Sequence, residues 1–213
     1  MQIAALIFDN ITPLDIVGPV EVLSRLPGAE LVIVGKSRGL VRDKRTHWAL
    51  EAEAALSEVP RPDIVLIPGG PGIRPLCQEA PVLDWVRQVH RTSTWTASVC
   101  TGALLLGAAG LLKGLTATTH WNAREALEAY GARYVEDRVV EHGKLMIAAG
   151  VSSGIDLALR LASRIAGDET AQAIQLAIEY DPQPPYDTGA PSKAGPAVLE
   201  RARQLLQRRA PAG

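Results

Sequence analysis

Short apolar runs alternate with amphipathic stretches along most of this chain, and that alternation constrains the fold more than any other feature. Ile3–Phe8, Leu31–Val34, Asp63–Pro68 and Thr94–Val99 are runs of strand length with little polar interruption. A strand that is apolar on both faces must be covered on both faces, which is the condition of a parallel sheet between helical layers. Helices are predicted between them, at Gly18–Leu26 (started by Gly18-Pro19), Pro81–Arg91, Gly102–Leu112, Asn122–Tyr130, Gly154–Ala166, Glu169–Ile178 and Pro196–Arg209. In Pro81–Arg91 the residues Val82, Trp85, Val86 and Val89 share one face. In Gly154–Ala166 the inward set is Ile155, Ala158, Leu159, Ala162 and Ile165. Residues 40–55 form a hairpin or an excursion. Thr116–Thr119 is a short strand, and Tyr134–Glu141 pairs with Lys144–Ala149 around His142-Gly143. Residues 181–191 are rich in proline and glycine and irregular. No repeat or linker divides the chain, so 1–213 is expected to be one domain.

Composition excludes several functions. The net charge is -1 and aromatics are 4% of residues, so neither a nucleic-acid surface nor an anionic membrane is favoured as a partner. Thr92 to Leu112 is uncharged, but glycines interrupt its second half; a strand, a turn and a buried helix explain it better than a membrane span. Met1–Asp9 lacks a basic start and is expected to be a first strand rather than a signal peptide. Two cysteines, Cys77 and Cys100, give no disulfide framework and fit a reducing cytoplasm. His47, His90 and His142 have no metal-ligand spacing.

Cys100 lies where the Thr94–Val99 strand becomes a helix, the placement of a nucleophile elbow. The helix N-terminus beneath it is expected to ease ionisation of the thiol. Cys77 has no such setting and is expected to be structural. In parallel sheets the active site forms at the carboxyl ends of the strands. Two further features occupy such ends. Pro68-Gly69-Gly70-Pro71-Gly72 is either a tight turn or a backbone that brings the Gly70 amide, with that of Thr101, into an oxyanion pocket. Asp15 is either a helix N-cap or a carboxyl beside the thiol that shares one proton with it. His120 and Trp121, and Gly150 and Val151 at another strand end, are candidate substrate-pocket residues. The C-terminal arginines Arg201, Arg203, Arg208 and Arg209 are expected to form a solvated face rather than a docking face.

At these residues the chain resembles the ThiJ/PfpI superfamily, which includes the parkinsonism-associated deglycase. The likeness rests on Asp15, the Pro-Gly-Gly turn, the cysteine elbow and Thr118-Thr119-His120, and runs from about residue 3 to about 200. Within the superfamily the chain looks most like the isonitrile hydratase branch. That likeness is carried by Leu14-Asp15 with Gly18-Pro19, Ser98-Val99-Cys100-Thr101-Gly102, Leu106-Gly107-Ala108-Ala109-Gly110-Leu111-Leu112, Ala117-Thr118-Thr119-His120-Trp121, Gly154-Ile155-Asp156, and Glu179-Tyr180 with Pro184-Pro185. The resemblance implies a flavodoxin-like three-layer α/β sandwich, a homodimer, and no metal or organic cofactor. It implies hydration of an isonitrile to an N-substituted formamide, with Cys100, Asp15 and Thr101 catalytic.

In the protease branch a histidine follows the cysteine; Thr101 stands there, so peptidase activity is not expected. In the deglycase branch the acid is a glutamate; Asp15 is shorter. Relatives that are sensor domains of transcription regulators carry helix-turn-helix domains, for which 213 residues leave no room. The alternatives are a glyoxalase or deglycase acting on 2-oxoaldehydes, or a cysteine redox sensor.

Overall fold

A computed structural model describes residues 1–43 and 47–207. The strands are β1 (Gln2–Leu6), β2 (Glu30–Gly35), β3 (Gly39–Arg42), β4 (Ala49–Ala52), β5 (Ala54–Ala55), β6 (Ile64–Ile67), β7 (Trp95–Val99), β8 (Thr116–Ala117), β9 (Arg133–Tyr134), β10 (Val139–His142) and β11 (Leu145–Ala148). The helices are α1 (Pro13–Leu23), α2 (Ile73–Leu76), α3 (Ala80–Thr92), α4 (Gly102–Ala108), α5 (Arg124–Ala129), α6 (Ser153–Ala166), α7 (Asp168–Ala177) and α8 (Pro196–Gln207).

Seven strands form one sheet in the order β10-β11-β7-β6-β1-β2-β5. Every pair is parallel except β10 with β11. The order β2-β1-β6-β7-β11 is the flavodoxin-like one, with its direction reversing between β1 and β6. The apolar runs are buried as expected: all of Ile64–Ile67 is at most 1% exposed. The α3 face is as predicted, with Val82, Trp85, Val86 and Val89 buried.

Several elements differ from the expectation. The first helix starts at Pro13, not at Gly18. Pro13 occupies the first turn, where a missing N–H costs nothing. Gly18-Pro19 lies inside the helix instead. Pro19 removes the N–H that bonds the Asp15 carbonyl in a regular helix. Both residues serve the contact between α1 and α6. A Cβ on Gly18 would stand 3.0 Å from Ile155 Cγ1, and one on Gly154 would stand 2.9 Å from Pro19 Cγ. Ile155 therefore faces α1. The face of α6 turned to the core is Gly154, Leu157, Ala158, Leu161 and Ala162, while Ile155, Leu159 and Ile165 are half-buried at the sides. A helix flanked by α1 and α7 as well as a sheet has apolar sides, and periodicity alone misplaces its centre.

Within the stretch read as a hairpin or an excursion, β3 pairs antiparallel with β4 outside the main sheet, as in the hairpin reading. The Thr116–Thr119 strand shrinks to β8. Of Tyr134–Glu141, only Val139 onward pairs with β11, because Arg133–Tyr134 pairs with β8 in a separate ribbon. The last helix is described to Gln207; Arg208 and Arg209 lie outside the described residues.

The turn after β6 and the elbow after β7 pack backbone on backbone. A Cβ on Gly102 would lie 2.2 Å from the Ile67 carbonyl oxygen, and one on Gly69 2.5 Å from Thr101 N. Nothing but glycine fits at 102 without separating β6 from α4. Gly102→Ala is expected to cost about 3 kcal/mol or more in urea unfolding, beyond ordinary overpacking because the obstacle is backbone.

At the opposite end of the sheet, Lys144 Nζ caps the C-terminal carbonyls of α3, donating to His90 O, to Arg91 O at 3.3 Å and to Ser93 O at 3.0 Å. His90 Nδ1 meets Thr96 Oγ1 at 2.9 Å. Burial, then the Lys144 charge, hold the His90 pKa below its usual value. The unfolded chain thus takes up this proton first. The stabilisation is complete above the ordinary histidine pKa of about 6.5 and is lost as pH falls from there through the lowered folded value. His120, lowered by burial, acts in the same direction. The urea midpoint is expected to fall between pH 7.5 and pH 5.5, and to fall less in His90→Gln.

Candidate active site

The elbow residue Cys100 has φ +58, a left-handed conformation rare for a side-chain-bearing residue, and is 4% exposed. Its N–H donates to the Ala148 carbonyl at 3.2 Å, and its own carbonyl accepts the Thr119 hydroxyl at 2.9 Å. These bonds tie the elbow to the end of β11 and to the loop after β8, which hold the strained backbone in place.

Asp15 stands in the first turn of α1, fully buried, with Thr12 rather than Asp15 as the cap. The N-cap alternative is therefore excluded. The Asp15 carboxyl lies near enough to Cys100 for its charge to act on the thiol. Its Oδ2 accepts the Gly69 N–H at 2.9 Å. Three strand ends build this arrangement: β1 through α1, β6 through its glycine turn, and β7 through the elbow.

The thiol does not ionise easily, contrary to the expectation from the helix N-terminus. Burial pushes the Cys100 pKa well up, and the Asp15 charge adds to it. The polar groups of Thr101 act the other way but do not prevail. The helix below has only seven residues, Gly102–Ala108. Desolvation of a thiolate beside a carboxylate outweighs what so short a helix offers. The charge of each group thus opposes the charge of the other.

Gly70 plays a different part from the one expected. Its N–H donates to Thr101 Oγ1 at 2.9 Å, so it orients the threonine hydroxyl instead of facing a substrate. Its φ of +133 and the 2.5 Å from a built Cβ to Thr12 N require glycine there. Gly69 and Thr119, which the sequence analysis left without a role, hold the acid and the elbow. The Gly-Gly pair itself was the available signal for Gly69.

A cavity of about 350 Å³ adjoins the pair. His120, Trp121, Gly150 and Val151, all expected there, line it. The His120 and Trp121 rings lie 5.6 Å apart. Cys100 and Asp15 are not in the lining, but their neighbours Thr119 and Leu14 are. Residues missed by sequence reasoning also line it: Tyr134, Glu136, Arg138 and Gly189–Pro191. They come from irregular or short segments with no periodicity to read. Cys77 is buried and its thiol is raised by burial, as befits a structural residue. Among the described residues, no group of three His, Cys, Asp or Glu side chains could hold a metal ion, and no helix is long and apolar enough to cross a membrane.

The sequence profile of the DJ-1/PfpI family matches residues 1–164. The chain belongs to the DJ-1/PfpI family. Isonitrile hydratase of Pseudomonas putida is 41% identical over 204 residues, spanning 96% of this chain and 89% of the relative. A crystal structure of a ThiJ/PfpI family protein from Pseudomonas syringae superposes with a TM-score of 0.92 at 34% identity, covering 98% of this chain and 87% of that one. Drosophila melanogaster DJ-1beta, at 22% identity and a TM-score of 0.77, covers 85% of this chain and 98% of its own; it shares the fold. The Cys100 elbow and the Asp15 carboxyl thus sit on a DJ-1/PfpI scaffold whose similarity to the hydratase runs well past residue 164.

Proposed function

We propose that this chain is an isonitrile hydratase, a carbon–oxygen lyase that adds water to an isonitrile to give an N-substituted formamide. One observation carries the reading: a buried carboxyl, Asp15, stands close enough to the buried Cys100 thiol for its charge to act on it, which puts a nucleophile and a proton carrier side by side. An isonitrile carbon must gain both a proton and an oxygen. The near full-length similarity to the Pseudomonas putida enzyme supports that choice of substrate.

In the first step the Cys100 sulfur bonds to the isonitrile carbon while the pair's one proton passes through Asp15 to the same carbon. The product is a thioimidate on Cys100, with Asp15 left as carboxylate. Water then adds to the thioimidate carbon, with Asp15 accepting a proton from it. The carbon–sulfur bond breaks and the formamide leaves. Of the two water protons, one ends on nitrogen and the other restores the pair. A thiol of raised pKa suits this chemistry, because proton and sulfur are consumed together. Thr101 N–H steadies the sulfur when it carries charge, and Gly70 holds the Thr101 hydroxyl in place. His120, Trp121, Gly150 and Val151 receive the substituent.

The protein works without a cofactor, in the cytoplasm, as a homodimer. Two free thiols, Cys77 and Cys100, support the compartment. Leu14 and Val17, 44% and 38% exposed on α1, support a second copy as their cover. A steady-state assay with p-nitrophenyl isonitrile and an alkyl isonitrile, beside methylglyoxal, tests the function. Formamide production is expected; turnover of methylglyoxal alone would transfer the chain to the glyoxalase reading.

A further inference from the structure

We propose that the carboxy-terminal segment 180–207 is a wall of the active-site cavity that selects the isonitrile by the size of its hydrocarbon substituent. The identity of the substrate rests on the hydratase reading; the wall itself does not. Gly189, Ala190 and Pro191 line the cavity beside His120 and Trp121. Ala190 and Pro191 offer small apolar side chains and Gly189 none, a lining that suits a hydrocarbon group and not the reacting carbon at Cys100.

Three anchors hold the segment, and each lands on a cavity residue or its direct partner. At its start, the Tyr180 hydroxyl donates to Asp156 Oδ2 at 3.1 Å, and Asp156 accepts Arg138 Nε at 2.7 Å. In its middle, the Ser192 N–H donates to Glu136 Oε1 at 2.9 Å. Near its end, the Arg203 guanidinium lies 6.0 Å from the centre of the Trp121 ring. Arg138, Glu136 and Trp121 all line the cavity. No residue of α8 is buried, so core packing does not fix where this segment lies. The segment also lies beyond residues 1–164, the part matched by the family profile. The wall is thus an addition to the common scaffold, placed where a substituent must fit.

Ala190 has φ -135 and ψ 150, an extended conformation open to any residue, so a larger side chain there leaves the backbone unstrained. Ala190→Phe narrows the cavity, and Glu136→Ala frees the Ser192 anchor. The test compares kcat/KM for p-nitrophenyl and methyl isonitrile. It also compares the rates at which iodoacetamide and N-phenyl iodoacetamide alkylate Cys100, read by mass spectrometry of the peptide. Ala190→Phe is expected to lower the aryl-to-small ratio about tenfold in both measurements, and Glu136→Ala to raise it. Ratios unchanged in both variants would overturn the wall. If the wild type turns over no isonitrile, the hydratase reading falls, and the alkylation ratio alone decides the wall.

Discussion

Cys100→Ser leaves no measurable hydration of p-nitrophenyl isonitrile, a loss on the order of 10⁴ or more in kcat. Serine keeps the elbow conformation and nearly the same volume, so the fold and the urea midpoint stay close to wild type. The loss arises because a hydroxyl, far less acidic than a thiol, cannot serve as nucleophile in a buried site with only a carboxyl as partner. Steady-state kinetics with circular dichroism on the same preparation checks both halves. Retained turnover within tenfold of wild type would remove Cys100 from the reaction.

Asp15→Asn is expected to move two quantities in opposite directions. Turnover falls by about 10² to 10⁴, because the amide cannot deliver a proton to carbon. The Cys100 thiol becomes more acidic, because the neighbouring charge that helps to raise its pKa is gone, while burial, the larger cause, remains. Alkylation of Cys100 by iodoacetamide near pH 8 therefore speeds up as catalysis slows. A merely structural Asp15 would disturb the elbow and lower both rates. Unchanged turnover in the asparagine variant would exclude proton delivery by Asp15.

Much of the architecture was legible because short apolar strands have few ways to be covered. Ile64–Ile67 and Trp95–Val99 were readable as buried strands, and α3 showed its inward face in four residues. The start of α1 was misread at Gly18-Pro19. Those residues answer to Gly154 and Ile155, more than a hundred positions away, and no local rule sees that contact. The cavity residues Tyr134, Glu136, Arg138 and Gly189–Pro191 were hidden for another reason, since they lie in short or irregular segments.

Sequence alone determined that Cys100 sits on an elbow at a strand end, while it left two readings each for Asp15 and for the glycine turn. Residue type and local pattern suffice for the elbow, since a strand-to-helix junction is a short-range property. Tertiary structure decided what the elbow does with its proton. The helix N-terminus, read locally, made the thiol acidic; complete burial and the Asp15 carboxyl made it the reverse. It also decided that the Gly69 N–H meets the acid and that the Gly70 N–H meets the Thr101 hydroxyl. Desolvation and the meeting of three strand ends arise only when the chain is packed, and they set the charge of the site.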